Sequence, residues 1–154
     1  MSTERDAFSF FHPLRIRYSE IDAQGVVFHA HYLTFFDAAL TEYLRESGFD
    51  YEAGLVATGY DFHVVRSVVD YKTPIQKDEE IEIGCRIGKT GNSSVTFSLG
   101  IFGKGSGELR ASGEIVWVNT DQKTRRPAPV PDEFRRLLEA MDAGKRPSKR
   151  RRVP

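Results

Sequence analysis

Residues 14–48 read LRIRYSEIDAQGVVFHAHYLTFFDAALTEYLRESG, and their reading decides the fold. Leu14, Ile16 and Tyr18 alternate with Arg15, Arg17 and Ser19, which predicts a strand with one buried face. A polar loop follows from Glu20 to Gly25. Tyr32, Phe36, Ala39, Leu40 and Tyr43 then fall at helical spacing, flanked by Leu33 and Leu44. Phe35 and Ala38 lie off that stripe, so the helix is predicted to be covered on more than one side. Ser47-Gly48 is its stop signal.

Outward from this stretch the chain turns to β patterning. Residues 63–71 are rich in Val and end before Thr73-Pro74. Ile81, Ile83, Cys85 and Ile87 form one alternating series. Val95, Phe97, Leu99 and Ile101 form a second, and Leu109, Ala111, Gly113, Ile115 and Trp117 a third. Short connections between period-2 segments predict an antiparallel meander. A short helix is predicted over residues 131–141, with Phe134, Leu137, Leu138 and Met141 as its apolar face. The order strand, long helix, four strands, short helix is α+β: a five-stranded antiparallel sheet wrapped around a long central helix. Such a sheet has two edges and no evident cover for both, so pairing of edges in a homodimer or homotetramer is expected.

Composition narrows the function classes. At 154 residues the chain is one domain, and 40% hydrophobic content with eleven Phe and six Tyr excludes disorder throughout. One Cys excludes an intramolecular disulfide or a multi-Cys metal site. The opening MSTERDAFSFFHP is too polar for a signal peptide, and no apolar run of ~20 residues is present to span a membrane, so a soluble cytoplasmic domain is expected. The zero net charge is a cancellation: residues 1–120 carry 11 basic and 17 acidic side chains, residues 121–154 carry 11 and 5. The domain is placed at residues 1–144. Residues 145–154, KRPSKRRRVP, are read as a disordered basic tail: a solvated end, or a contact for ligand phosphates, nucleic acid or an acidic partner. No other feature favours nucleic acid.

The chemistry is expected in residues 17–40. Glu20 and Asp22 precede a helix start, and Gly25 lets the backbone turn sharply between them and it. The helix is expected to begin at His29-Ala30, where unpaired N–H groups and the dipole favour negative charge. A carboxylate can attack a carbonyl or activate water, and a helix N-terminus can hold the oxyanion that develops. A lone loop Asp is more often a turn or capping residue, and that reading stands beside the catalytic one.

The pattern S-E-x-D-x-x-G-V-V-F-H-x-x-Y-L-x-x-F-D-x-A resembles the signature of hotdog-fold acyl-CoA thioesterases of the 4-hydroxybenzoyl-CoA thioesterase type, and among them the small bacterial YbgC-like enzymes. The likeness continues through Val69-Asp70-Tyr71-x-x-Pro74 and Gly91-Asn92-Ser93-Ser94, over roughly residues 13–140. It implies an acyl-CoA hydrolase with a site shared between two subunits and no cofactor. It implies that Asp22 is the catalytic carboxylate, nucleophile or general base, and that the backbone N–H of His29 meets the thioester carbonyl. Gly25 and Val26 match the loop that shapes the acyl pocket. Tyr32 and Lys89 complete the expected substrate contacts, Lys89 standing in with Arg86 for a basic cluster that this chain lacks near Gly91.

Competing readings remain at this level. The same fold can bind acyl thioesters or a protein without turnover, and a hotdog dehydratase would pair a His with an acid. His29 and His31 point to nearly opposite sides if helical, so no metal site is assigned to them. Cys85 follows the alternation of its strand and reads as core. No G-x-S-x-G, G-x-G-x-x-G or P-loop is present, which leaves a serine triad or a nucleotide cofactor without support.

Overall fold

A long helix, α1 (His31–Ser47), lies against a sheet because its apolar residues share one side: Tyr32, Phe36, Ala39, Leu40 and Tyr43 are all buried, and Phe35 is buried beside them. Gly48 ends it in the left-handed conformation, φ 79°, which glycine adopts without strain. The computed structural model describes residues 4–144; the expected basic tail, residues 145–154, lies outside the described residues.

The sheet has five strands: β1 (Phe10–Arg15), β2 (Tyr60–Tyr71), β3 (Glu80–Thr90), β4 (Ser94–Gly103) and β5 (Leu109–Asp121). All neighbours are antiparallel and the spatial order is β1-β3-β4-β5-β2. The alternation sets the register, because Ile81, Ile83 and Cys85 of β3 and Phe97, Leu99 and Ile101 of β4 must share the face beneath α1, and all six are fully buried. Gly113 of β5 is the point of closest approach. A Cβ there would stand 2.5 Å from the Phe36 ring and 2.5 Å from the Val68 carbonyl oxygen, so only a hydrogen lets helix and sheet meet. A one-turn helix, α2 (Tyr51–Gly54), follows α1, and α3 (Asp132–Asp142) packs Phe134, Leu138 and Met141 onto the same core. This is the α+β hotdog arrangement expected from the sequence.

The first strand lies earlier than the Leu14–Tyr18 alternation predicts. It pairs Phe10 with Cys85 and Arg15 with Glu80, and the chain then leaves the sheet. The reason is the carboxylate of Glu20, which accepts the Arg17 backbone N–H at 2.7 Å and closes residues 18–20 into a 3₁₀ turn. Tyr18 is therefore 79% exposed instead of facing a core. The opposite face of the sheet has a cover that composition did not suggest. Phe8 lies on Gly84 and Gly100, with Phe11 and Phe102 edge-on to it and the Arg5 guanidinium over the Phe11 ring.

The two edges differ. β1 is short, and Arg5 and Arg15 of its segment are ion-paired to Glu82 and Glu80. β2 is a 12-residue edge strand on which Val64 and Val65 are 59% and 58% exposed, at a bulge against β5.

Candidate active site

The loop between β1 and α1 is held as a rigid frame. Val27 N–H donates to the Ile75 carbonyl (2.8 Å), Phe28 N–H to the Glu20 carbonyl (2.9 Å), and Asp22 N–H to the Val26 carbonyl (2.9 Å). Gly25 turns the chain between the last two at φ 77°, a conformation an L side chain rarely takes. Glu20 is buried and faces Arg17, so it anchors the loop. Asp22 lies at the loop's open side, with Oδ1 accepting the Gln24 N–H at 2.8 Å.

Beside Asp22 is a cavity of about 270 Å³. Asp22, Gln24, Val26, Val27, His29 and Tyr32 line it from the loop and the start of α1. Tyr71, Lys72, Thr73 and Pro74 close it from the end of β2. The structure thus brings Asp22, Val26, His29 and Tyr32 together. Gly25 shapes the loop without lining the cavity. Lys89 does not line it: it sits near the far end of β3, six residues beyond Ile83, roughly 20 Å along the strand. Burial pushes the Tyr32 hydroxyl above its ordinary pKa, with Tyr71 adding to the effect.

The helix starts two residues later than expected, at His31, because residues 28–31 form a turn first. His31 N–H donates to the Phe28 carbonyl at 3.0 Å and Tyr32 N–H to the His29 carbonyl at 3.4 Å. Ala30 is the N-cap and no side chain caps it. The N–H groups of His29 and Ala30 have no acceptor among the described residues. A helix start without a capping side chain, opening beside a cavity, presents donors to whatever enters. The His29 and His31 rings both lean on Phe28, with centroids 4.4 and 5.7 Å from its ring.

The wall formed by residues 71–74 was missing from the sequence-based list of contacts. It is held by Arg110, which is 14% exposed at its side chain and donates to the Pro74 carbonyl at 2.7 Å while pairing with Glu79 at 3.3 Å. Lys72 and Thr73 N–H groups both donate to the Arg110 carbonyl. Only the motif Asp70-Tyr71-x-x-Pro74 hinted at this wall, and nothing local places it against a loop some fifty residues earlier. Cys85 lies apart, fully buried, with its thiol pushed well up by desolvation and by Asp142, so it is no nucleophile.

The family model described as "Thioesterase-like superfamily" matches residues 16–138. The chain belongs to the Thioesterase-like superfamily. Among its relatives is the Acyl-CoA thioester hydrolase YbgC of Escherichia coli, 33% identical over 119 residues that cover 77% of this chain and 87% of that one. Acyl-CoA thioesterase YbgC of Haemophilus influenzae is 34% identical over 92 residues, 60% of this chain and 66% of the other. The crystal structure of the PA5185 protein from Pseudomonas aeruginosa superposes with a TM-score of 0.74 at 33% identity, covering 89% of this chain and 94% of that one. A 1,4-dihydroxy-2-naphthoyl-CoA thioesterase from Synechocystis shares the fold, with a TM-score of 0.79 at 17% identity over 86% of this chain and 97% of its own. The match of this Thioesterase-like chain begins at Ile16, just before the loop that carries Asp22, and ends at Leu138 in α3. Among the described residues no helix is long and apolar enough to cross a membrane.

Proposed function

We propose that the chain is an acyl-CoA thioesterase, hydrolysing an acyl-CoA to a carboxylate and CoA with Asp22 as the reacting carboxylate. The observation that carries this reading is that Asp22 and the uncapped turn at His29 line one cavity. In this reading the thioester carbonyl oxygen points to the His29 N–H and the carbonyl carbon faces Asp22. Asp22 then either takes a proton from water as that water adds to the carbon, or adds to the carbon itself. In the first route the C–S bond breaks with the proton delivered to the CoA thiolate. In the second, the C–S bond breaks as the Asp22 carboxylate bonds to the acyl carbon, CoA leaves as a thiolate, and water then opens the resulting mixed anhydride to the free acid and Asp22. Both need the developing oxyanion to meet preorganised donors, which is what orphan N–H groups at a rigid turn supply. Tyr32, Val26 and Tyr71 form an apolar wall suited to an acyl group.

The site is read as one half of a shared cleft in a homodimer, paired along the β2 edge. Support comes from the exposed apolar residues of that strand: Val64, Val65 and Tyr71. The acyl-CoA substrate and the cytoplasm as compartment belong to the same reading.

The test is thiol release from a panel of short-chain, long-chain and aromatic acyl-CoAs. Wild type is expected to hydrolyse at least one class, and Asp22→Ala to lower its kcat about 10²–10⁴-fold. Equal rates for the two proteins would remove Asp22 from the mechanism. Calorimetric binding of acyl-CoA with no thiol released from any ester would make the chain a binding module. Hydration of a 2-enoyl-CoA would make it a dehydratase.

A further inference from the structure

The hydroxyl of Tyr71 donates to the carbonyl oxygen of His29 at 3.0 Å, across 42 residues of sequence. Tyr71 is the last residue of β2, its ring meets the Tyr32 ring edge-on at 4.8 Å, and it lines the cavity beside Asp22. The contact falls on the one turn whose geometry matters for an oxyanion. Each peptide unit is planar, so fixing a carbonyl oxygen also fixes the N–H of the next residue. Two units flank His29. The 28–29 unit, which carries the His29 N–H, is held locally by His31 N–H on the Phe28 carbonyl at 3.0 Å. The 29–30 unit has within its own turn only the long Tyr32 N–H bond, 3.4 Å, on the His29 carbonyl. The Tyr71 hydroxyl supplies its second, shorter donor and the bond that comes from another element.

We infer that Tyr71 is a positioning residue: its hydroxyl locks the His29–Ala30 peptide, and so the His29 turn, in the geometry that receives the thioester oxygen. This rests on the thioesterase reading of the same site. In this role the Tyr71 hydroxyl acts through backbone, so it needs no proton transfer and no contact of its own with substrate, whatever the ring contributes to the cavity wall. The ring is a separate matter, since packing on Tyr32 needs the ring alone.

Tyr71→Phe keeps the ring and removes the bond. One neutral hydrogen bond of about 0.5–1.5 kcal/mol corresponds to about a 2- to 12-fold change. The variant is expected to lose kcat by that factor with KM within about two-fold, and to speed amide hydrogen exchange at His31 and Tyr32, whose N–H groups close the turn, by a similar factor, with the unfolding midpoint lowered by only a few degrees. Wild type and Asp22→Ala are run on the same ester. If wild type releases no thiol from any ester, the thioesterase reading fails, and the exchange measurement still decides whether Tyr71 holds the turn. Unchanged exchange at His31 and Tyr32 overturns the inference. So does an unchanged kcat in an active enzyme, or a rise in KM alone, which would make Tyr71 a substrate contact.

Discussion

The two ends of α1 are built to different purposes. At the C-terminal end Tyr43 is fully buried, with Phe10 and Phe97 edge-on to its ring, and Phe134 of α3 meets Phe49 edge-on and Phe62 at a tilt, both at about 5 Å. The polar groups there are matched inward: Tyr43 Oη donates to Asp142, and Ile87 N–H donates to the same carboxylate. At the N-terminal end the helix has no capping side chain, Phe28 and Tyr71 are exposed, and a cavity opens beside Asp22. The closed end spends its polar groups on itself, while the open end leaves donors and a carboxylate for a ligand. Stability should therefore reside at one end and activity at the other, a separation that substitutions can break.

The largest effect is expected from the contrast of Phe134→Ala with Asp22→Ala. Phe134 is fully buried among Phe49, Phe62 and Leu138, so its truncation is expected to cost about 3–5 kcal/mol in denaturant unfolding. Turnover per folded molecule should stay near wild type. Asp22→Ala should do the reverse, losing activity with stability within about 0.5 kcal/mol. If Phe134→Ala lowers kcat in the fully folded protein, the two ends are coupled through α1 and the separation fails.

The edge strand gives the next effect. In an isologous pairing Val64 of one subunit lies near the edge of the other, so Val64→Lys sets like charges close to one another, at several kcal/mol. Light scattering should show a dimer in wild type and monomer in the variant at micromolar concentration, with activity lost alongside the dimer. A monomeric wild type of full activity would show that one chain holds the whole site.

What could be read beforehand follows from what is local. The stripe Tyr32, Phe36, Ala39, Leu40, Tyr43 and the series Ile81, Ile83, Cys85 carry their periods in single side chains, so helix, strands and Gly48 stop were legible. The first strand was shifted because the Leu14-Ile16-Tyr18 alternation continues past the point where Glu20 bends the chain out of the sheet. Phe8 and Phe11 lay in a stretch whose polar neighbours hid a second apolar cluster on the outer face. For the site, Asp22, Val26, His29 and Tyr32 sit within eleven residues and could be grouped from sequence. Tyr71, Thr73 and Pro74 could not be, because their place depends on the bond from Val27 to Ile75 and on Arg110 gripping Pro74. Lys89 lies where the resemblance places a basic cluster, and its strand carries it away from the cavity beside Asp22.

The smallest effect belongs to Asp142, and it tests whether the closed end is optimised for neutral pH. Burial pushes its carboxyl up from 3.8 to about 6, against the lowering effects of the Tyr43 hydroxyl, the Ile87 N–H and Arg86, with Glu139 raising it further. A folded value above the unfolded one means that folding takes up a proton between the two. The stabilisation is complete below about pH 4 and is lost as pH rises through about 6. A shift of this size in a fully enclosed group is about 3 kcal/mol at 1.36 kcal/mol per pH unit; Asp142 keeps some solvent, and screening leaves on the order of 1 kcal/mol. Asp142→Asn removes the titration while retaining an acceptor for Tyr43, but it leaves Ile87 N–H without its carboxylate oxygen. The stability of wild type minus that of the variant should therefore fall by on the order of 1 kcal/mol from pH 4 to pH 7, with the constant cost of the lost Ile87 bond cancelling from the slope. A flat difference across that range would mean that Asp142 titrates alike in the folded and unfolded chain, and a rising one that its hydrogen bonds outweigh its burial.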